Sequence, residues 1–188
     1  QLEADVVLAN EKLPFHYAIN EVSGDFELFD WAGEYEGHGV NVTAVPAYDK
    51  PKSEEEGGGA KSEKNVLIYS FEVDEIRICH LSNITHKLTD DMNDAIGDVD
   101  ILLVPIGGNG LTLDAEKAHN VIEQIEPRIV IPMYYSIPGM SFQLAPLNDF
   151  LKEVGQTDIK HDKVFKIKKK SDLPVDKVEF FVLEPTLG

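Results

Sequence analysis

The chain has 188 residues, 43% of them hydrophobic, enough for a sizeable core in one globular domain spanning residues 1–188. Seventeen Lys and Arg face 34 Asp and Glu, a formal net charge of -17 that repels phosphate backbones and argues against nucleic-acid partners. No apolar run approaches the roughly 20 residues of a membrane span, Gln1 to Asp5 do not read as a signal peptide, and Cys79 is alone, so a cytoplasmic protein without membrane attachment or intrachain disulfides is expected.

Taken in chain order, Asp5-Val6-Val7-Leu8-Ala9 reads as a short buried strand, followed by a polar, turn-rich stretch through Asn10 and Pro14 to His16. From Phe26 to Val45 the pattern is strand-like, and Gly33, Gly37 and Gly39 predict tight turns between short antiparallel strands. Residues 50–64, with Glu54-Glu55-Glu56-Gly57-Gly58-Gly59, are too polar to enter a core and predict a mobile exposed loop. Val66 to Val73 and Ile76 to Leu81, separated by Asp74-Glu75, read as a hairpin; Cys79 lies within it as a structural thiol rather than a nucleophile. Thr89 caps a short helix with two acids in its first turn and Gly97 at its end.

Val99 to Pro105 reads as a strand. A helix from Ala115 to Ile125 follows, with Ala118, Val121, Ile122 and Ile125 on one stripe, and Pro127 stops it before the strand Arg128 to Met133. This strand-helix-strand unit is a parallel crossover. A last helix from Leu147 to Val154 ends at Gly155, and two or three short strands close the chain. Lys166-Ile167-Lys168-Lys169-Lys170 reads as a solvated strand edge, where lysines resist pairing with other chains. The class is α/β with mixed sheets.

The unusual polar residues gather at strand ends: His16 after the first strand, Asp49 after the glycine-broken strands, His80, Asn83 and His86 after the hairpin, Tyr134 and Tyr135 after the crossover. Loops converging at the carboxyl ends of strands make one pocket, or the remains of one. The plainer reading is that strands end at the surface and their last residues are polar for that reason. His38, His119 and His161 read as ordinary surface residues.

Longer stretches carry a resemblance. Gly33-Glu34-Tyr35-Glu36-Gly37-His38-Gly39-Val40, Ile76 to Leu81 with Thr89-Asp90, Gly97 through Gly108, and Glu126 to Met133 together resemble the metallo-β-lactamase superfamily, in its small UlaG-like branch of metal-dependent hydrolases. The resemblance implies an αββα sandwich with mixed sheets, whose N-terminal portion is expected to be missing before Gln1. It also implies one or two metal ions, usually zinc, held by a His-x-His-x-Asp-His motif, a later histidine, an aspartate and a final histidine; such ions generate hydroxide near neutral pH. Against that pattern Glu11 and Leu13 take the first two histidine positions, Phe15 the aspartate, and only His16 is kept. Asp49 stands for the next histidine, Asn83 for the bridging aspartate and Tyr134 for the last histidine.

The chemistry of these replacements sets the expectation. Leu13 and Phe15 have no lone pairs to offer, Asn83 is neutral, and Tyr134 would have to lose a proton with a reference pKa of about 10. No catalytic residue and no bound metal are therefore expected, and Glu11, His16, Asp49, Asn83 and Tyr134 are vestigial or residual site positions. The expected role is binding or assembly. The alternative is a hydrolase with a rearranged mononuclear zinc or manganese site at Glu11, His16 and Asp49. A second alternative is a small-molecule sensor whose emptied pocket is lined by Leu13, Phe15, Tyr134 and Tyr135. His80 and His86 are expected to hold hydrogen bonds rather than metal. The expected partner is a second copy or another protein that covers exposed sheet edges.

Overall fold

A computed structural model describes residues 2–10, 19–48, 65–140 and 143–185. In chain order the strands and helices are β1 (Leu2–Glu3), β2 (Val6–Leu8), β3 (Val22–Ser23), β4 (Glu27–Phe29), β5 (Gly33–Gly37), β6 (Val40–Tyr48), β7 (Asn65–Val73), β8 (Ile76–His80), α1 (Asp90–Ile96), β9 (Ile101–Pro105), α2 (Ala115–Ile125), β10 (Ile129–Met133), α3 (Leu147–Glu153), β11 (His161–Asp162), β12 (Glu179–Phe180) and β13 (Val182–Leu183). Seven of these strands form one sheet in the order β12-β10-β9-β8-β7-β6-β5. From β5 to β8 it is an antiparallel meander, and β8, β9, β10 and β12 run parallel. Two reversals between β6 and β8 leave β6, β8, β9 and β10 pointing the same way, so their carboxyl ends share one edge of the molecule.

Period-2 alternation sends side chains to both faces of this sheet. Val45, Ala47, Ile68, Cys79, Leu102, Val104 and Val130 point to a face covered by helices, where Met92 and Ile96 of α1, Val121 and Ile122 of α2, and Phe150 and Leu151 of α3 complete the main core. The intervening residues point to the other face, which is shared. On the meander side, Val42, Ala44, Leu67 and Tyr69 pack against Phe29, Val6 and Leu8 of the small parallel β2/β4 sheet. On the parallel side, Ile101, Ile129 and Ile131 are covered by Phe165, Ile167 and Leu173. Both faces being buried explains why β9 and β10 read as near-continuous apolar runs.

The local signals act as expected at the two ends of α1. Thr89 Oγ1 accepts from Met92 N at 3.2 Å and Gly97 ends α1 with φ 69°. Asp114 caps α2 through Lys117 N at 2.9 Å. The β7–β8 turn places Asp74 and Glu75 at φ 50° and 65°, a two-residue connection built without glycine.

Two expectations need correction. The first apolar strand is only half-buried, because it pairs with β4 in a two-stranded sheet lying over the large one. Lys166 to Lys170 is not a strand edge: the segment crosses the sheet face irregularly and enters a 3₁₀ turn at Lys170–Asp172, with Phe165 and Ile167 as its anchors. His119 stands at the surface as expected, its ring 3.8 Å from Glu123 and 3.5 Å from Glu153. The expected mobile loop at 50–64 lies outside the described residues. No helix among the described residues is long and apolar enough to cross a membrane.

Candidate functional site

The shared edge at the carboxyl ends of β6, β8, β9 and β10 is where the sequence concentrates its polar residues. Its organising point is Leu67, two residues beyond the place where β8 stops pairing with β7 at Tyr69 and His80. Its N–H and C=O both point to the β8 side, because Leu67 stands opposite Pro46 of β6 in a pair that exchanges no backbone hydrogen bonds. Leu67 thus has backbone groups that no strand satisfies, and buried backbone groups left unpaired are costly. Two side chains complete them: Asn10 Oδ1 accepts from Leu67 N, and Ser82 Oγ donates to Leu67 O at 2.6 Å. Asn10 Nδ2 then donates to Ser82 Oγ at 2.8 Å and closes the triangle.

Ser82 is buried and has φ 55°, a left-handed conformation that the side chain's hydrogen bonds must hold in place. The same turn directs Ser82 N to His80 Nδ1 at 3.0 Å, so that nitrogen is an acceptor and the ring's other nitrogen carries the proton. Burial lowers the His80 pKa and favours this neutral form. Beside it, burial raises the Tyr69 pKa, and the neutral hydroxyl donates toward Ala9 O at 2.6 Å and Phe29 O at 2.9 Å. These bonds tie the end of β2 to the sheet.

Asn83 and His86 are half-buried and line one cleft together with Ala47, Val66, Ile84, Thr85 and Leu111. The cleft has a volume of about 10 Å³, room for a single water rather than an organic ligand. His86 Nδ1 lies 2.8 Å from Lys87 O, a local hydrogen bond. Both His80 and His86 thus hold hydrogen bonds.

Neither tyrosine of the β10 end lines this cleft. Tyr134 has φ 57°, and its carbonyl oxygen crowds Gly107 so closely that a Cβ there would collide with it. Partial burial raises the Tyr134 pKa. Tyr135 turns into the main core, and its hydroxyl lies 3.3 Å from Leu183 O. This corrects its expected place in an emptied pocket. Asn109 Nδ2 reaches Gln143 O at 2.6 Å and Ala145 N reaches Gly107 O at 2.7 Å, so the β9 and β10 ends are laced to the strand-free segment before α3.

Of the five positions singled out, Asn83 is at the cleft and Tyr134 is at the neighbouring strand end; Glu11, His16 and Asp49 lie outside the described residues, as do Leu13 and Phe15. Among the described residues no three His, Cys, Asp or Glu side chains gather closely enough to hold a metal ion. Sequence reasoning missed Asn10 and Ser82. Short polar residues following a strand are too common to stand out, and the register that leaves Leu67 incomplete is a tertiary fact.

A family profile described as a β-lactamase superfamily domain matches residues 1–134. A UPF0173 metal-dependent hydrolase of Thermococcus onnurineus is 31% identical over 105 residues, covering 55% of this chain and 44% of the relative. One from Pyrococcus abyssi is 30% identical over 125 residues, covering 65% of this chain and 52% of the relative. The chain spans about half the length of the curated relatives it matches. Among solved structures, a candidate Zn-dependent hydrolase of the metallo-β-lactamase superfamily from Thermotoga maritima superposes with a TM-score of 0.74 at 27% identity, covering 97% of this chain and 84% of that one. A candidate metal-dependent hydrolase from Parabacteroides distasonis shares the fold, with a TM-score of 0.61 at 16% identity.

Proposed function

From the premise that the chain belongs to the β-lactamase superfamily, we propose that it keeps the superfamily's fold and uses the strand-end face for binding or assembly rather than for metal-dependent hydrolysis. The observation that carries this reading is Asn83. It stands at the end of β8, where the resemblance puts a bridging aspartate, and its neighbour Ser82 spends its hydroxyl on Leu67 and Asn10. A neutral amide offers one weak oxygen where two divalent ions need an anionic bridge. Tyr134, in the last histidine's place, has its pKa raised further from the range in which a phenolate would form. Both Asn83 and Tyr134 are thus poor donors for a binuclear centre.

The test is metal content together with turnover. Protein purified without chelator and reloaded with zinc or manganese is expected to hold far less than one ion per chain and to hydrolyse neither phosphodiesters nor carboxylic esters. Stoichiometric metal with turnover overturns the proposal.

A second reading, a mononuclear hydrolase at Glu11, His16 and Asp49, draws support from Asn10 and Ala47. Both lie at the same strand-end face, and they precede Glu11 and Asp49 by one and two residues. It requires that Glu11→Gln and Asp49→Asn each remove a bound zinc ion; unchanged metal content in either variant excludes it.

A further inference from the structure

The opposite end of the large sheet carries a groove that neither reading uses. It lies between the end of α2, the end of α3 and the segment leading into β12, and has a volume of about 630 Å³. Ile122, Val154 and Phe180 are among its apolar lining, and Val175 and Val178 are exposed beside them, Val175 by 78%. Its cations are already committed: Arg128 to Asp100 at 3.4 Å and Lys177 to Glu179 at 2.5 Å, while His119 lies between Glu123 and Glu153. Glu126 and Asp176 line the same groove and have no cation in ion-pair range among the described residues. The groove is therefore apolar with an uncompensated negative rim.

The same chain carries the complementary surface. Lys160, Lys163, Lys166, Lys168, Lys169 and Lys170 are six of its 17 Lys and Arg, and no acid intervenes between Asp162 and Asp172. Lys163, Lys166, Lys168 and Lys169 are exposed without a carboxylate partner among the described residues, and Val164 stands among them 60% exposed. Phe165 and Ile167 hold this strip on the sheet face that carries Ile129 and Leu173, whereas Val154 and Phe180 belong to the helical face. Strip and groove are anchored on opposite faces of one sheet and approach one another at Asp100, which pairs with Lys170 from the strip and Arg128 from the groove.

We propose that the groove receives the Lys163–Lys169 strip of a second copy of this chain, joining copies head to tail through an apolar contact at Val164 and ion pairs from the strip's lysines to Glu126 and Asp176. Such a contact is heterologous: copies close into a ring or extend in a row, rather than stopping at a two-fold dimer. The proposal is independent of the metal question, because its readout is mass in solution and not metal content or turnover.

Sedimentation of the full chain across a concentration series tests it. Self-association is expected at low salt and is expected to weaken as salt screens the exposed charges. Glu126→Lys with Asp176→Lys in one variant, and Lys163→Glu with Lys166→Glu and Lys168→Glu in another, should each weaken self-association by an order of magnitude or more, through like-charge contact. All five positions are exposed and have no ion-pair partner among the described residues, so both variants should melt like the parent. Mixing the two variants should restore association, since each then meets a surface of opposite sign. A chain that is monomeric at every concentration and salt, variants that associate like the parent, or a mixture that stays apart overturns the proposal.

Discussion

The two ends of the large sheet are held by different chemistry. At the amino ends of β8, β9 and β10 the buried carboxylate of Asp100 accepts from Arg77 N at 2.9 Å and pairs with Lys170 Nζ at 2.9 Å and Arg128 Nε at 3.4 Å. Its backbone carbonyl accepts from Arg128 N and Ile129 N, so one residue ties three strands and the crossing segment together. At the carboxyl ends the ties are neutral, through Asn10, Ser82 and His80, while left-handed residues occur at both ends: Ser82 and Tyr134 here, and Asp74, Glu75 and Glu126 at the other. The two ends therefore differ in charge rather than in backbone strain: one is clamped by a buried acid and its cations, the other by neutral hydrogen bonds.

The comparison can be broken first at the charged end. Asp100→Ala leaves Lys170 and Arg128 without their shared acid and should cost about 3 kcal/mol, the lower part of the range for an orphaned buried pair because both cations are partly exposed. Urea unfolding measures it; a loss under about 1 kcal/mol would show that the network is not a clamp. At the other end Gly107→Ala drives a Cβ into the carbonyl of Tyr134 and against Leu144, an overpacking cost of about 2 kcal/mol readable by calorimetry.

Ser82 sharpens the contrast. Ser82→Ala removes the partner of Leu67 O and Asn10 and should cost about 1.5 kcal/mol. Ser82→Gly loses the same hydroxyl but relieves the left-handed backbone, so it should cost about 1 kcal/mol less than the alanine variant. Equal losses would show that Ser82 stores no strain.

His80 makes this end pH-sensitive. Its pKa in the folded chain lies below the ordinary 6.5, so between the two values the unfolded chain binds the extra proton. The stability from keeping His80 neutral is whole above pH 6.5 and is lost as pH falls through the folded value. His80→Gln should flatten that component of the urea midpoint's decline on acidification; an unchanged slope would remove His80 as its source. The smallest effect lies in the hairpin turn, where Glu75→Gly should raise stability by about 0.5 kcal/mol by suiting φ 65°.

Much of this molecule is legible without coordinates. The helix cap at Thr89, the stripe of α2, and the parallel crossover from β9 to β10 follow from local rules of spacing and capping, which act within a few residues. The stretches around Gly33, Gly97 and Glu126 carry the family resemblance, and the burial of Cys79, which pushes its pKa up to about 12, follows from the apolar strand around it. Tertiary structure alone decided the rest. Whether Lys166 to Lys170 forms a strand, where Tyr135 points, and why Asn10 and Ser82 are needed all depend on which strand stops beside which. That register is set by contacts between residues up to 72 positions apart, and no local pattern encodes it.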